Sequence, residues 1–394
     1  MLACAVGAFC ASSPYQSFSV FLRPVTEDLG WSREAAAASF GTMALLAAAA
    51  AAPVGRLLDR HGVRRIVLPS LTALGIAVAS MSMLTPSLTH FYLVSAVIGL
   101  ATIGTSPVAY SRAIFSWFDV RRGRALGLML AGPALAQVVM PGLATLLIAG
   151  VGWRGAWLTI GVIVVAAGVP IVAGSLRERD AAVPSAANSG GALVIEAVRS
   201  RLFWTLIAVI FGSGLLISGF IVHGAALLTD RDFTAAQAAL VISIYGASNL
   251  AGRLLTGAVL DRHPAPRVAA VLLTVLAAGA VVLSRAHAME TAIAAAILVG
   301  LGAGGEMDIN PYLLSRYFGM RSLSTLYGFN WMALGVASTI GPVMMGRAFD
   351  ATRSYESVLV TLAVVTLGAA ALMLTLPAPS RGIARRPDDE DRVA

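Results

Sequence analysis

The sequence contains few charged residues, two cysteines and no lysine. Only 12% of its 394 residues are charged, about half the fraction typical of a soluble domain, which argues against a soluble fold. Cys4 and Cys10 fall in one apolar run and are predicted to be packing residues, so neither a disulfide nor a metal site is indicated. A phosphate-binding loop and a nucleophile elbow are also missing, so we predict no enzyme activity and no cofactor.

Long apolar runs dominate the rest of the chain. Hydrophobic residues make up 58% of the sequence, and runs of about 20 residues, enough to cross a ~30 Å hydrocarbon core, recur from end to end. Barrel strands would alternate apolar and polar residues, whereas these runs are apolar nearly all round, so they predict membrane-spanning helices. Twelve spans are predicted, at residues 2–22, 35–53, 66–84, 91–117, 125–149, 154–174, 203–228, 236–259, 268–284, 291–314, 326–346 and 357–376.

The arginines are distributed unevenly between the predicted loops. Nineteen of the 28 lie in alternate loops and the tail, seven lie in the opposite loops, and Arg112 and Arg253 lie inside spans. Because basic loops stay on the cytoplasmic side, both termini are predicted to be cytoplasmic, in a bacterial inner membrane. This pattern accounts for the net charge of +8 without a nucleic-acid partner.

Four segments are predicted along the chain. Residues 1–174 form one six-helix bundle, and residues 201–377 form another. A polar cytoplasmic linker at 175–200 joins them, and a charged tail at 378–394 has the composition of a disordered segment.

The two predicted bundles share a repeated motif after their second spans. Gly55-Arg-Leu-Leu-Asp59-Arg60-His61 recurs as Gly257-Ala-Val-Leu-Asp261-Arg262-His263. Duplicated halves with a binding site between them are typical of secondary transporters.

The first copy, Gly55-x-x-x-Asp59-Arg60-x-Gly62-x-Arg64-Arg65, resembles the loop 2–3 motif of the major facilitator superfamily. The resemblance implies an all-α membrane fold of twelve helices in two pseudo-symmetric six-helix bundles. It also implies that charge networks stabilise the outward-open state, with the alternative that these charges only set topology. The implied gating residues are Gly55, Asp59, Arg60, Arg64, Asp261 and Arg262.

A finer resemblance is to the monocarboxylate porter and oxalate:formate exchanger branch. It is carried by Trp117-Phe118-x-x-Arg121-Arg122-Gly123-x-Ala125-x-Gly127 and by Asn249-x-x-x-Arg253 in span eight. In that branch the span-eight arginine holds the substrate carboxylate. The chain differs in having Asn249 where relatives often carry an acid, and in lacking their lysine in span one or eleven.

Arg253 is the leading candidate for substrate binding. An ionisable side chain deep in the bilayer costs at least ~2.5–3.5 kcal/mol, so its presence needs a reason. A guanidinium matches the planar geometry of a carboxylate. The alternatives are an ion pair with Asp308 or Glu306, or snorkelling to the interface. Asn249, one turn away, either contacts the substrate, orients Arg253 or joins two helices.

Glu306, Asp308 and His223 are the candidates for proton coupling. Glu306 and Asp308 lie two residues apart in span ten, so they face different directions on a regular helix. Apolar surroundings favour the protonated form of a carboxyl group, which suits a proton carrier. The alternative for the acids is a permanent ion pair with an arginine. His223, in span seven, is either a proton relay or a packing residue.

Further polar and aromatic residues of the predicted spans are candidates to line a substrate cavity. The alternatives for them are interhelical hydrogen bonds and packing. They are Ser13, Tyr15 and Gln16 in span one, Tyr110 and Arg112 in span four, Tyr245 in span eight, Tyr312 in span ten, and Asn330 and Trp331 in span eleven.

Three functions are compatible with these residues. The first is a secondary carrier of a small organic carboxylate, acting as a monomer with a proton or a counter-anion as the second partner. The second is a proton-driven drug exporter. The third is a membrane sensor that transports nothing. The duplicated halves and Arg253 favour the first.

Overall fold

The computed structural model describes residues 1–117, 122–177, 192–260, 262–319 and 322–377. Side chains at 52, 59, 107, 108, 112, 115, 116, 122–126, 307, 308, 311 and 324 lie outside the description, as do most of the predicted linker and the tail. The described helices are α1 (Leu2–Leu29), α2 (Arg33–His61), α3 (Val63–Ser80), α4 (Leu88–Gly104), α5 (Pro107–Trp117), α6 (Arg122–Ile163), α7 (Val169–Ser175), α8 (Val194–Arg199), α9 (Arg201–Thr229), α10 (Ala235–Leu260), α11 (Ala265–Ser284), α12 (Met289–Phe318), α13 (Leu323–Thr352) and α14 (Glu356–Leu374).

Ten helical segments of the described chain are long and apolar enough to cross a membrane. One of them, Gly127–Ser175, has 49 residues, roughly twice what a straight helix needs for one crossing. It bends at Gly152, whose φ of 71° lies in the left-handed region that favours glycine. The all-helical membrane fold is thus confirmed, while the number of twelve crossings stays a prediction.

The helices meet in loops at two ends of the bundle. We call the end that holds Arg177 and Ala192 the linker end, because these residues flank the predicted linker. There Trp117 Nε1 donates to the Arg177 carbonyl at 2.8 Å, and the Ala192 N–H donates to the Phe318 carbonyl at 2.9 Å. The opposite end is called the far end, and there Arg154 pairs with Asp28 at 2.5 Å.

Predicted span four is divided in two. The sequence predicts one unbroken helix over residues 91–117, but α4 ends at Gly104 and α5 begins at Pro107. Proline has no N–H for a helical hydrogen bond and disfavours the α conformation in the residue before it. The two residues between, Thr105 and Ser106, instead close short turns on Thr102 and Ile103.

Two clusters of buried apolar side chains fill the bundle. One contains residues between 3 and 176 together with Val222 and Ala226 of α9, and the other contains residues between 197 and 376. Between membrane helices, tight packing of small residues replaces the hydrophobic effect as the main source of association. Gly99 of α4 shows such packing, since a Cβ there would lie 2.4 Å from the Met43 carbonyl oxygen of α2. The predicted domain boundaries stay a prediction.

Candidate functional site

Helices α2 and α13 join the two halves along most of their length. A Cβ at Gly346 would lie 2.7 Å from the Glu34 backbone, and a Cβ at Gly41 would lie 2.7 Å from the Thr339 side chain. Toward the linker end the contact is lost, since no described atom lies within 4 Å of a Cβ position at Gly55 or Gly328. The two helices therefore separate toward the linker end.

Helices α6 and α10 form the second seam between the halves, with the same pattern. A Cβ at Gly246 would lie 2.7 Å from the Gln137 carbonyl oxygen, and the buried Tyr245 side chain faces the Gln137 side chain. Toward the linker end, Gly127 and Gly257 have no described atom within 4 Å of a Cβ position. Among the described residues, a cleft between the halves is therefore open at the linker end.

Arg253 lies on the side of α10 that faces this cleft. It follows Gly246 by seven residues, which is two helical turns, so both project from the same side of α10. Arg253 and Asn249 are half-buried. The Asn249 backbone packs on α12, where a Cβ at Gly304 would lie 2.0 Å from the Asn249 carbonyl oxygen. The structure thus brings the two leading candidates together on one stretch of α10.

The predicted first-half residues lie mostly among their own helices. Ser13 is 2% exposed and donates to the Phe9 carbonyl at 2.8 Å. The Tyr15 ring packs edge-on against Phe40, with its hydroxyl facing Thr102. The fully buried Tyr110 packs against Gly7, and its hydroxyl has no hydrogen-bond partner among the described atoms. Gln16 is half-buried, and the Arg112 side chain lies outside the described residues.

Three predicted residues of the second half have different surroundings. Trp331 is 43% exposed and packs edge-on against Tyr327. It lies one turn from Gly335, which packs against α2, so it continues the side of α13 that faces the opened seam. Asn330, its neighbour, is buried and donates to Asn310 of α12 at 2.7 Å. The Tyr312 hydroxyl accepts from Arg316 at 3.3 Å.

Of the two predicted coupling acids, Glu306 is the one whose side chain is described. Glu306 is 2% exposed, and its Oε1 accepts from the Ser213 hydroxyl of α9 at 2.9 Å. It therefore faces the interior of the second half. The Asp308 side chain lies outside the described residues.

The predicted gating residues lie at the open end of the seams. Arg60, Arg64 and Arg262 are exposed to solvent, and Gly55 has open space beside it. The side chain of Asp59 and the whole of Asp261 lie outside the described residues. The exposed arginines agree with a cleft that is open at this end.

Charged residues that the sequence did not single out close the far end. The Arg33 guanidinium of α2 binds both carboxylate oxygens of Asp230, next to the end of α9, with Nη2–Oδ1 at 2.7 Å. Its Nη1 also donates to the Tyr355 hydroxyl at 2.6 Å. Asp350 of α13 accepts the backbone N–H groups of Arg33 and Glu34 at 3.1 and 2.9 Å. We call Arg33, Asp230, Asp350 and Tyr355 the far-end latch.

His223 connects the latch to the interior of the second half. Its Nε2 lies 2.9 Å from the Pro342 carbonyl, which can only accept, so Nε2 carries the proton. Its Nδ1 lies 3.1 Å from the Tyr355 hydroxyl and accepts from it, while that oxygen accepts from Arg33. Burial raises the pKa of the Tyr355 hydroxyl, which keeps this donor in place. Both ring nitrogens of His223 are engaged, and its role as a proton relay stays a prediction.

Comparison with known proteins decides the family. The model of the Major Facilitator Superfamily matches residues 4–342 and 225–392. The chain belongs to the major facilitator superfamily. This confirms the resemblance that the loop 2–3 motif carried, and it makes the protein a membrane transporter by family.

Relatives within the superfamily include transporters with narrower names. The MFS-type transporter YhjX of Escherichia coli, itself uncharacterized, is 28% identical over 345 residues, which cover 84% of this chain and 83% of YhjX. Monocarboxylate transporter 13 of Bos taurus is 27% identical over 338 residues, covering 82% and 76% of the two chains. The solved nucleoside transporter NupG superposes with a TM-score of 0.73 at 15% identity, covering 95% and 99%. That likeness shows the fold alone.

Proposed function

We propose that the protein is a secondary active transporter of small organic anions, monocarboxylates or dicarboxylates. The proposal places it in a bacterial inner membrane, with the linker end and both termini in the cytoplasm. It works as a monomer in which the two halves rock about the cleft, so that each side of the membrane has access in turn. The linker end is open and the far end is latched, which corresponds to an inward-facing state.

The observation that carries this proposal is the position of Arg253. Arg253 belongs to the spanning helix Ala235–Leu260 and is half-buried, on the side of α10 that faces the cleft. A permanent cation at this depth costs several kcal/mol, about 2.5–3.5 on insertion scales, unless an anion or a dipole offsets it. A guanidinium can hold a substrate carboxylate with two parallel hydrogen bonds. The similarity to monocarboxylate transporter 13 supports the same substrate class.

Transport needs an energy source, and we propose either proton symport or anion exchange. In symport, Glu306 or Asp308 takes the proton. In exchange, a second anion occupies Arg253 on the return path. The two modes differ in whether a proton gradient alone drives accumulation.

A second candidate function is a proton-driven drug exporter. The exposed Trp331, with Tyr327 beside it, gives the cleft an aromatic surface that suits apolar or cationic substrates. Such a protein would need the buried acid Glu306 and would not need Arg253.

Uptake into proteoliposomes tests the proposal. We expect Arg253→Ala to reduce uptake of radiolabelled acetate, L-lactate, pyruvate or succinate at least tenfold, since losing a charged hydrogen-bonding partner costs about 1.5–3 kcal/mol. Arg253→Lys, which keeps the charge but loses the fork, should retain part of the activity. Arg285→Ala, at an exposed arginine of the same half, is the matched control.

Undiminished carboxylate uptake by Arg253→Ala would refute the assignment of this residue. Transport of an apolar cation such as tetraphenylphosphonium, insensitive to Arg253→Ala, would favour the exporter instead.

A further inference from the structure

Four polar side chains meet inside the second half, away from the open cleft. Ser213 comes from α9, Glu306 and Asn310 from α12, and Asn330 from α13, and each is at most 2% exposed. Two hydrogen bonds connect them in pairs, from Ser213 to Glu306 at 2.9 Å and from Asn330 to Asn310 at 2.7 Å. Glu306 and Asn310 lie one turn apart on the same side of α12, so the pairs are neighbours. We call these residues the buried polar cluster.

The buried polar cluster contains three polar atoms with no hydrogen-bond partner among the described atoms. They are Glu306 Oε2, Asn310 Nδ2 and Asn330 Oδ1. Two amides joined by a single hydrogen bond always leave one NH2 group and one carbonyl oxygen without a partner, whichever way each amide is turned. Buried polar atoms are nearly always satisfied, and such exceptions mark a bound water, an ion or a functional group.

The surroundings of Glu306 favour the neutral carboxylic acid over the carboxylate. Among the described side chains, none that is cationic pairs with it, and Ser213 is its only hydrogen-bond donor. An ionised carboxylate without a cation is far more costly to bury than a neutral carboxylic acid. Ionisable residues at similar depth on α12 and the helices around it are Arg253 of α10, Asp308 and Tyr312 of α12 and Tyr327 of α13. Helix α9 has none between Arg201 and His223, and α11 has none between Arg267 and Arg285.

We propose that the buried polar cluster is an enclosed proton-binding site, in which one water molecule connects the Glu306 carboxyl group to the Asn310–Asn330 pair. The water accepts from Glu306 Oε2–H and from Asn310, and it donates to Asn330. Three hydrogen bonds are the usual number for a buried water. The role of the site in transport rests on the proposed function, and it assigns the coupling proton to Glu306.

When Glu306 releases its proton, hydrogen-bond donors within the site stabilise the carboxylate. The Oε2–H bond of Glu306 breaks, and the proton passes through the bound water to a second water molecule, which leaves as hydronium. The carboxylate that remains accepts from Ser213 and from the bound water, which turns one O–H toward it. Asn310 and Asn330 are positioning residues, since they hold the water and do not carry the proton. Helix α9 also contributes Val222 and Ala226 to the apolar cluster of the first half, so movement of the halves reaches the helix that covers Glu306.

Infrared spectroscopy of the purified protein in lipid tests the site without any substrate. We expect a carboxylic acid band that disappears as pH rises, that is missing in Glu306→Gln and that is retained in Asp308→Asn. Ser213→Ala removes a donor to the carboxylate, so the midpoint of this titration should move to higher pH. Thr366→Val, at a buried hydroxyl of α14 that bonds only its own helix, should leave the midpoint unchanged.

The contribution of the Asn310–Asn330 pair can be measured separately. Asn330→Leu should shift the titration midpoint by about one pH unit or more, the equivalent of losing one hydrogen bond to the site. A carboxylic acid band that persists in Glu306→Gln would overturn the proposal. A titration midpoint that is unchanged in both Ser213→Ala and Asn330→Leu would also overturn it.

Coupling to transport is a separate measurement in proteoliposomes. The ratio of L-lactate uptake with and without an inward proton gradient should be high in the native protein and fall to one in Glu306→Gln. A gradient response that survives in Glu306→Gln assigns the coupling proton elsewhere. If none of the carboxylates is taken up, the proposed function fails, while the infrared titration still decides whether the buried polar cluster binds a proton.

Discussion

Replacing Asp230 with asparagine is expected to open the far end of the protein. The change leaves the Arg33 guanidinium, whose side chain is only 9% exposed, without its carboxylate. Removing one partner of a buried ion pair typically costs about 3–5 kcal/mol, mainly because the other charge stays desolvated. Arg33 regains water if α2 moves away from α9 and α13. The cost therefore falls on the latched state and shifts the equilibrium toward a far-end-open one.

The expected shift is large enough to measure. The equilibrium responds only to the part of this cost that the latched conformation bears and the far-end-open one does not. If that part is a third of the cost, about 1.4 kcal/mol, the ratio of the two conformations changes about tenfold. Electron–electron distance measurements can report it, with spin labels at Ser87 and Glu290 for the far end and at Arg65 and Arg267 for the linker end. All four positions are exposed. Asp230→Asn should populate a longer far-end distance and a shorter linker-end distance.

A matched control is available at the same end. Asp28 pairs with Arg154, but both belong to the first half and are about half exposed. Exposed pairs contribute ~0–1 kcal/mol, so Asp28→Asn should leave both distances unchanged. Distance distributions in Asp230→Asn that match those of the native protein would show that the latch does not hold the far end.

The latch could not have been predicted from the sequence. Arg33, Asp230 and the neighbouring residues Asp350 and Tyr355 lie near helix ends at three distant places in the chain, and they belong to neither copy of the repeated motif. A charged residue in a loop is first interpreted as a topology signal, because the positive-inside rule assigns loops to one side of the membrane by their basic residues. No local pattern marks these residues as partners. Their contact arises only because the ends of α2, α9, α13 and α14 converge at the far end.

Arg253 shows what the sequence can predict. A charge inside an apolar span is rare, so it stands out without any knowledge of the fold. Its side of the helix follows from the helical period once one contact, at Gly246, is known. The superfamily fold was predictable for a similar reason, since span length and the repeated motif are local signals.

The rotation of α12 about its own axis could not be predicted from the sequence. Gly300 and Gly304 pack on α10, where Cβ atoms would lie 2.6 Å and 2.0 Å from the carbonyl oxygens of Tyr245 and Asn249. Glu306 follows Gly304 by two residues, about 200° around the helix, and so faces α9. A choice between Glu306 and Asp308 needed that contact, which depends on how two helices cross.

Replacing Gly304 with alanine is expected to destabilise the second half strongly. The new methyl group would stand 2.0 Å from the Asn249 carbonyl oxygen, and that oxygen belongs to backbone that cannot rotate away. Overpacking of a tight contact costs roughly 1–3 kcal/mol. The reciprocal contact, Gly252 against the Leu301 carbonyl at 2.4 Å, leaves α10 no room to slide. The melting temperature in detergent should fall clearly below that of the native protein.

Gly257→Ala separates crowding from helix propensity. Gly257 lies on α10 with no described atom within 4 Å of a Cβ position, so alanine there should stabilise the helix, by up to about 1 kcal/mol. The two substitutions make the same chemical change with opposite expected signs. If the melting temperature of Gly304→Ala equals that of the native protein, α10 and α12 are farther apart than the structure has them. Because this crossing sets the position of Asn249 and Arg253 on α10, any Gly304→Ala protein that folds should also lose carboxylate uptake.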